Sequence, residues 1–360
     1  MNRIAIYPRT RSRIDPFLYD LSRACEASGW ASVTWLSFFL PVRMPQILLL
    51  NWAENLWDMV GSSFAQKKIK WFKRKALLRA ISRGKACGAI IVLVAHNIQP
   101  HGNGHDSRFW ASSVTELTRQ VDAFYHLNPT SEKLFKELLP QVPRHISAAF
   151  PVNKGSPSIA PPSSKDIKRL ILIGVDRQRK NLKEVLLSLS GMANVSIIAT
   201  GYKDREDFSR NNPLLAKKVA PAVTWLGKRV RQEVLDGLLT PGSALVLNQW
   251  DQLNSGLMWL ALSREVPVIA PATESNRAIL KEVGGFRLRL FDSSLDQHTL
   301  VKLLKIKDED LNTQIDWEEH SFATFASNIH NLFPSLSGRF CATKHLDQRA
   351  IRAAFFKNSN

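Results

Sequence analysis

Between residues 151 and 166 the chain reads PVNKGSPSIAPPSSKD, rich in Pro and Ser and without an apolar period. Such a stretch reads as an interdomain linker. What it divides constrains the fold most. On each side, short β-type runs alternate with segments of helical spacing. Before it come RIAIY (3–7), SVTWL (32–36), QILLLN (46–51) and AIIVLVA (89–95), then the weaker strand patterns VDAFYHL (121–127) and RHISAA (144–149). After it come IKRLILIG (167–174), NVSIIAT (194–200), SALVLN (243–248) and VPVIA (266–270). Helical spacing fills the gaps, as in PFLYDLSRACEA (16–27), NLKEVLLSLS (181–190) and ESNRAILKEV (274–283). AIIVLVA is wholly apolar, as a strand covered by helices on both faces should be. This alternation predicts doubly wound parallel sheets. The expected architecture is α/β: two Rossmann-like domains facing a cleft. Their bounds are 1–150 and 167–315, with the linker at 151–166 and a C-terminal helix and basic tail at 316–360.

The length agrees, since 360 residues exceed one ordinary domain and suit two. Apolar residues at 44% and charged residues at 22% give enough material for two cores and exclude global disorder. The net charge of +18 implies a polyanionic partner: nucleic acid, an anionic membrane face or a phosphate-bearing substrate. Cys25, Cys87 and Cys341 are widely scattered, without zinc-type spacing, and fit a reducing compartment. MNRIAIYPRT enters a strand directly, so no signal peptide is expected. The most apolar region, WASVTWLSFFLPVRMPQILLLNW, is interrupted by Pro41, Arg43 and Pro45. Neither half reaches the roughly 20 apolar residues that span a bilayer.

Open α/β sheets bind ligands beyond the carboxyl ends of their strands. After LILIG comes VDRQRKN, which places Gly174, Arg177, Arg179 and Lys180 on a turn entering a helix. Cations beside a helix N-terminus make a diphosphate seat, although a solvated basic turn has the same pattern. No GxGxxG follows any strand, so a dinucleotide fingerprint is absent. After SALVLN, Asn254 or Ser255 can cap a helix whose first turn, from Gly256, presents N–H groups to an anion. After VPVIAP, Glu274 and Ser275 open another helix. Glu274 there can accept from sugar hydroxyls or serve as a first-turn acid. HNIQPHGNGHD, after AIIVLVA, carries His96, His101 and His105. No acid or Cys joins them at regular ligand spacing, so a general base or a hydroxyl-binding role suits them better than a metal. Glu54, in WAENLW after QILLLN, is a second candidate base.

Several of these blocks resemble the GT-B nucleotide-sugar glycosyltransferases. More narrowly, they are similar to glycosyltransferase family 94, the β-mannosyltransferases of xanthan-type exopolysaccharide assembly. The similar blocks are DPFLYDL, LLLNWAENL, AHNIQPH, GVDRQRKN and NSGLMWLALSREVPVIAPATESNRAILKEVG, spread over residues 15 to 284. Arg177 and Lys180 fall where the family has Arg and Lys, whereas Asp15, Asn51 and Ala53 replace its Asn, His and Pro. The resemblance implies inverting transfer of mannose from GDP-mannose to a polyprenyl-diphosphate-linked oligosaccharide. It implies a peripheral protein at the cytoplasmic face of the inner membrane, with no metal and no nucleic-acid partner. The donor residues would be Gly174, Arg177, Lys180, Asn254, Ser255, Gly256, Glu274 and Ser275. The candidate bases are His96, His101 and Glu54. Leu260 stands where the broad retaining GT-B families keep a ribose-binding Glu, which argues against a retaining enzyme.

The segment 56–85 mixes aromatic residues with a dense run of Lys and Arg. Trp57, Lys67, Lys68, Lys70, Trp71, Phe72, Lys73, Arg74 and Lys75 would face an anionic bilayer. An amphipathic helix with a solvated basic side reads the same way. A basic nucleic-acid-binding protein is the competing class, although no RNP, helix-turn-helix or zinc-finger signature supports it.

Overall fold

The computed structural model describes residues 2–8, 16–39, 44–57, 62–96, 114–139, 144–152, 167–177, 180–189, 192, 195–219, 223–250, 254–305 and 315–337. His101, Asp15, Arg179, most of the linker stretch and the basic tail beyond Ser337 lie outside these residues.

The first half contains strands β1 (Arg3–Tyr7), β2 (Ala31–Thr34), β3 (Ile47–Asn51), β4 (Ile90–Ala95), β5 (Ala123–His126) and β6 (His145–Ser147). Its helices are α1 (Pro16–Ala27), α2 (Phe64–Ala86), α3 (Thr115–Thr118) and α4 (Pro129–Leu138). The strands form one parallel sheet in the order β2-β1-β3-β4-β5-β6. Every residue of β3 and β4 is buried, because helices cover both faces. Ile47, Leu49, Ile90 and Val92 face one way, toward Leu18 and Leu21 of α1. Leu48, Leu50, Ile91 and Leu93 face the other way, toward Leu77, Ala80 and Ile81 of α2. The predicted strand at SVTWL stops at Thr34, where Trp35–Phe39 turn into a 3-10 helix. Its Phe38 is driven under α2 at Gly84, where a Cβ would lie 2.9 Å from the ring. Phe38 therefore fills a helix-packing site, and the segment does not extend the edge strand.

The second half contains β7 (Arg169–Leu172), β8 (Ser196–Ala199), β9 (Val223–Trp225), β10 (Ser243–Val246), β11 (Val268–Pro271) and β12 (Leu288–Phe291). Between and after them run α5 (Leu182–Leu189), α6 (Arg205–Asn211), α7 (Pro213–Ala216), α8 (Gln232–Leu238), α9 (Gly256–Leu262), α10 (Glu274–Val283), α11 (Gln297–Leu304) and α12 (Phe322–Ser337). This sheet is also parallel, ordered β12-β11-β10-β7-β8-β9. Strand order reverses between β1 and β3 in one sheet and between β7 and β10 in the other. Those are the places where open parallel sheets form ligand crevices.

Each half has an apolar cluster of its own, and a third cluster is shared between them. One apolar cluster runs from Leu18, Trp30 and Tyr125 through Phe150 to Trp259, Leu262 and Val268. The chain crosses between halves at Phe150–Val152 and again at Ile315–Phe322, and the crossings are tied together. Val152 N donates to His320 O at 2.8 Å, and His320 Nδ1 lies 3.0 Å from Phe150 O. Helix α12 then packs back on the first sheet: Trp30 Nε1 donates to His330 Nδ1 (2.9 Å), and Phe325 lies against Tyr125.

Helix α2 begins at Ser63 with a capping box, in which Ser63 Oγ accepts from Gln66 N and Gln66 Oε1 accepts from Ser63 N. Its basic side chains from Lys67 to Lys75 are exposed or half-buried. Trp57 corrects the membrane-facing set: it is 5% exposed, packed in the core beneath Arg74, and cannot reach a surface.

Candidate active site

The turn after β7 begins at Gly174, whose φ of 81° favours glycine and whose N–H donates to Thr200 Oγ1 (2.9 Å). The chain then doubles back, with Arg177 N bonded to Gly174 O and Lys180 N to Arg177 O. Lys180 Nζ donates to Ile173 O at 2.8 Å. A Cβ at Gly174 would meet Arg177 Cδ and Lys180 Nζ, each at 3.4 Å. Both cations therefore converge over one backbone atom at the reversal point of the sheet. Arg177 is exposed and Lys180 half-buried, so the pair borders solvent.

The neighbouring strand β10 leads to Asn248, whose Nδ2 donates to Asn181 O (3.1 Å) and ties the two turns together. Next along this edge are Asn254, Ser255 and Gly256. Ser255 caps α9, its Oγ accepting from Met258 N at 3.2 Å. Its hydroxyl is thus engaged in capping, and Gly256 is exposed beside the Phe150 ring. After β11, Thr273 caps α10. Ser275 is buried, whereas Glu274 is exposed and sits 3.6 Å from Lys133 Nζ of α4. Because the strands are parallel and adjacent, all three segments share one carboxyl edge.

The carboxyl edge of the first sheet faces this one. His96, directly after β4, is 4% exposed. Its ring stacks on Trp52 at 4.3 Å, with Phe17 edge-on at 5.3 Å. His96 Nε2 lies 3.3 Å from Asn51 Oδ1. An amide oxygen only accepts, so this contact is a hydrogen bond in the tautomer that carries its proton on Nε2. Across the divide, Asn254 Nδ2 donates to His96 O at 3.1 Å and Asn128 Nδ2 to Ser275 Oγ at 2.7 Å. The structure therefore brings His96 to the Asn254–Gly256 turn.

Glu54 is placed differently. It is 2% exposed, its Oε2 has no hydrogen-bond partner among the described residues, and it lies in the 3-10 helix Ala53–Leu56 after β3. Burial pushes its pKa up to about 8, against a lowering backbone hydrogen bond. Burial, then the Glu54 charge, push Tyr7 to about 12. Glu54 is thus a sealed carboxyl next to Tyr7, not a group lining an open cleft. Asn128, Lys133, Thr200 and Asn248 escaped the sequence reading. Asn128-Pro129 is a cap-plus-Pro helix start that sequence alone could have flagged.

No protein-family model and no curated protein sequence matches the chain. Solved structures do match it. HepE of Anabaena, in complex with UDP-glucose, superposes with a TM-score of 0.54 and 11% identity, covering 94% of this chain and 99% of that one. AviGT4, a glycosyltransferase involved in avilamycin A biosynthesis, gives a TM-score of 0.54 and 10% identity, covering 94% and 98%. The chain spans 59% of the matched chain of the GtfA/B complex and 54% of TarM. At such identities the likeness shows the fold: two α/β halves in the GT-B arrangement.

Proposed function

We propose that the chain is a nucleotide-sugar glycosyltransferase whose second half holds the donor and whose first half holds the acceptor. The observation that carries this is the Arg177–Lys180 pair, folded over Gly174 at a sheet-reversal point and facing the edge that carries His96. A departing nucleoside diphosphate develops negative charge, and preset cations stabilise it as it forms. HepE and AviGT4, which share the fold, are respectively a UDP-glucose complex and a glycosyltransferase.

In this reading an acceptor hydroxyl gives its proton to His96, its oxygen attacks the anomeric carbon, and the diphosphate leaves toward Arg177 and Lys180. One displacement inverts the anomeric centre. Of the two described candidate bases we take His96, since Glu54, with a pKa raised to about 8, holds its proton at neutral pH. The finer assignment is mannose from GDP-mannose, passed to a polyprenyl-diphosphate-linked oligosaccharide at the cytoplasmic face of the inner membrane. It rests on the resemblance of GVDRQRKN and the Asn254–Gly284 block to family 94.

A thermal-shift panel of GDP-, UDP-, ADP- and CMP-linked sugars tests the donor. GDP-mannose should raise the midpoint of the wild-type chain through linkage, and Arg177→Ala or Lys180→Ala should remove most of that rise and cripple transfer. Stabilisation by a different nucleotide would replace the donor assignment. Near wild-type transfer in both variants would sink the site.

A further inference from the structure

Helix α2 carries two opposed stripes. Leu77, Ala80, Ile81 and Gly84 are buried against the first sheet. Phe64, Lys68, Trp71, Phe72, Lys75 and Arg79 recur at helical spacing on a stripe about 180° away, at 100° per residue. That outward stripe is not the polar one that a surface helix normally shows to water. Phe64 is 74% exposed, Phe72 65% and Trp71 45%. Lys68 Nζ sits over the Phe64 ring at 4.6 Å and Lys75 Nζ over Trp71 at 5.8 Å, so aromatic and cationic groups interleave. From Phe64 to Lys75 no residue is buried, and α2 contains no acidic residue along its whole length. The 3-10 helix packed against α2 adds exposed Leu36 and Phe39.

We infer that the outward face of α2 docks the protein on an anionic lipid bilayer. Its aromatic rings would enter the headgroup layer, and its lysines would pair with lipid phosphates. Rings of this size stabilise burial at the interface, and each cation near an anionic surface adds attraction. No helix among the described residues is long and apolar enough to cross a membrane, so α2 lies on the surface and does not span it. Charge complementarity names the occupant: a cationic helix face without acids, bearing exposed apolar rings, matches a surface that is anionic outside and apolar just beneath. A nucleic-acid backbone would match the charge but offers no apolar layer for Phe64 and Phe72. Docking of this kind is independent of sugar transfer.

The test uses the full chain and co-sedimentation with vesicles of phosphatidylcholine, alone or mixed with phosphatidylglycerol. The wild type should bind the mixed vesicles, and high salt should release it. Changing Lys67, Lys68 and Lys75 to Gln should weaken partitioning by about fivefold per cation. Phe64→Ser with Trp71→Ser and Phe72→Ser should weaken it at every salt concentration. These positions are exposed, so circular dichroism and the thermal midpoint should stay at wild-type values. Equal binding of either variant and the wild type would overturn the inference, as would equal binding to neutral vesicles at high salt. So would vesicle binding that survives the substitutions while binding to duplex or single-stranded nucleic acid is lost.

Discussion

Two buried titratable residues give the chain opposed pH limits. Glu54 deprotonates near 4.5 when unfolded and about 8 when folded, because burial disfavours the anion. Between these values the folded state holds the extra proton, so stability falls as pH rises through the window, by at most about 1.4 kcal/mol per unit. His126 runs the other way. Burial, and then the neighbouring His145, lower it from 6.5 to about 3. Its ring is fully buried, between Ser131 Oγ at 3.0 Å and His145 Nδ1 at 2.9 Å. Here the unfolded state holds the extra proton, so stability is lost as pH falls below 6.5. Glu54→Gln should therefore abolish the alkaline loss and leave the acid loss intact, read as denaturation midpoints from about pH 5 to 9. An unchanged alkaline limb in that variant would mean that Glu54 is not buried as an acid. The sequence marked Glu54 as chemically interesting, since it follows a strand in a polar turn. It could not show that the turn tightens into a 3-10 helix and seals the carboxyl, because that depends on Tyr7 and Trp57 packing around it. His96 was legible for a sounder reason. A wholly apolar strand ends one residue before it, and parallel sheets bind ligands beyond the carboxyl ends of their strands.

At the level of elements, the continuous apolar runs were the readable ones. ILLLN and IIVLVA became the fully buried β3 and β4, and Gly174 marked the turn after β7. The short edge strands β9 and β12 were not readable. The three residues of β9 give little period, and β12 places Arg289 at a buried position among Leu and Phe, which breaks the apolar pattern. The β7–α5 turn is where an element carries the proposed chemistry. Gly174→Ala would put a side chain at a φ of 81° and 3.4 Å from both Arg177 Cδ and Lys180 Nζ. The backbone strain alone costs about 1–2 kcal/mol. At that distance the new Cβ makes ordinary van der Waals contact, so the strain lies in the backbone, whose relaxation would shift the turn that carries both cations. The expected outcome is a modest drop in thermal midpoint with a much larger loss of nucleotide-sugar binding. A variant that loses stability but binds as tightly as the wild type would show that the cations act from elsewhere.

Across the whole molecule, the linker composition predicted two domains with two cores, and the structure adds a third apolar cluster that the two halves share. By composition residues 151–166 read as a separator, but Val152 at its start and Phe150 just before it are bonded to His320, and the apolar cluster passes through them into α9. Helix α12 makes the coupling strongest. It comes after the second sheet in sequence, yet Phe325 and Ile329, each 1% exposed, fill the core beside Tyr125 and Trp30 of the first half. Local sequence patterns report which face of a helix is apolar, not which sheet that face will cover. This assigns a definite outcome to a calorimetric experiment. Phe325→Ala removes a buried ring and should cost about 3–5 kcal/mol. If the halves were independent, only the first would lose stability, and the trace would split into a shifted and an unshifted transition. A shared core requires a single transition that moves to lower temperature as a whole, because the cluster that loses Phe325 also carries Trp259, Leu262 and Val268. A split trace would show that the cluster, although continuous in space, does not make the halves fold as one.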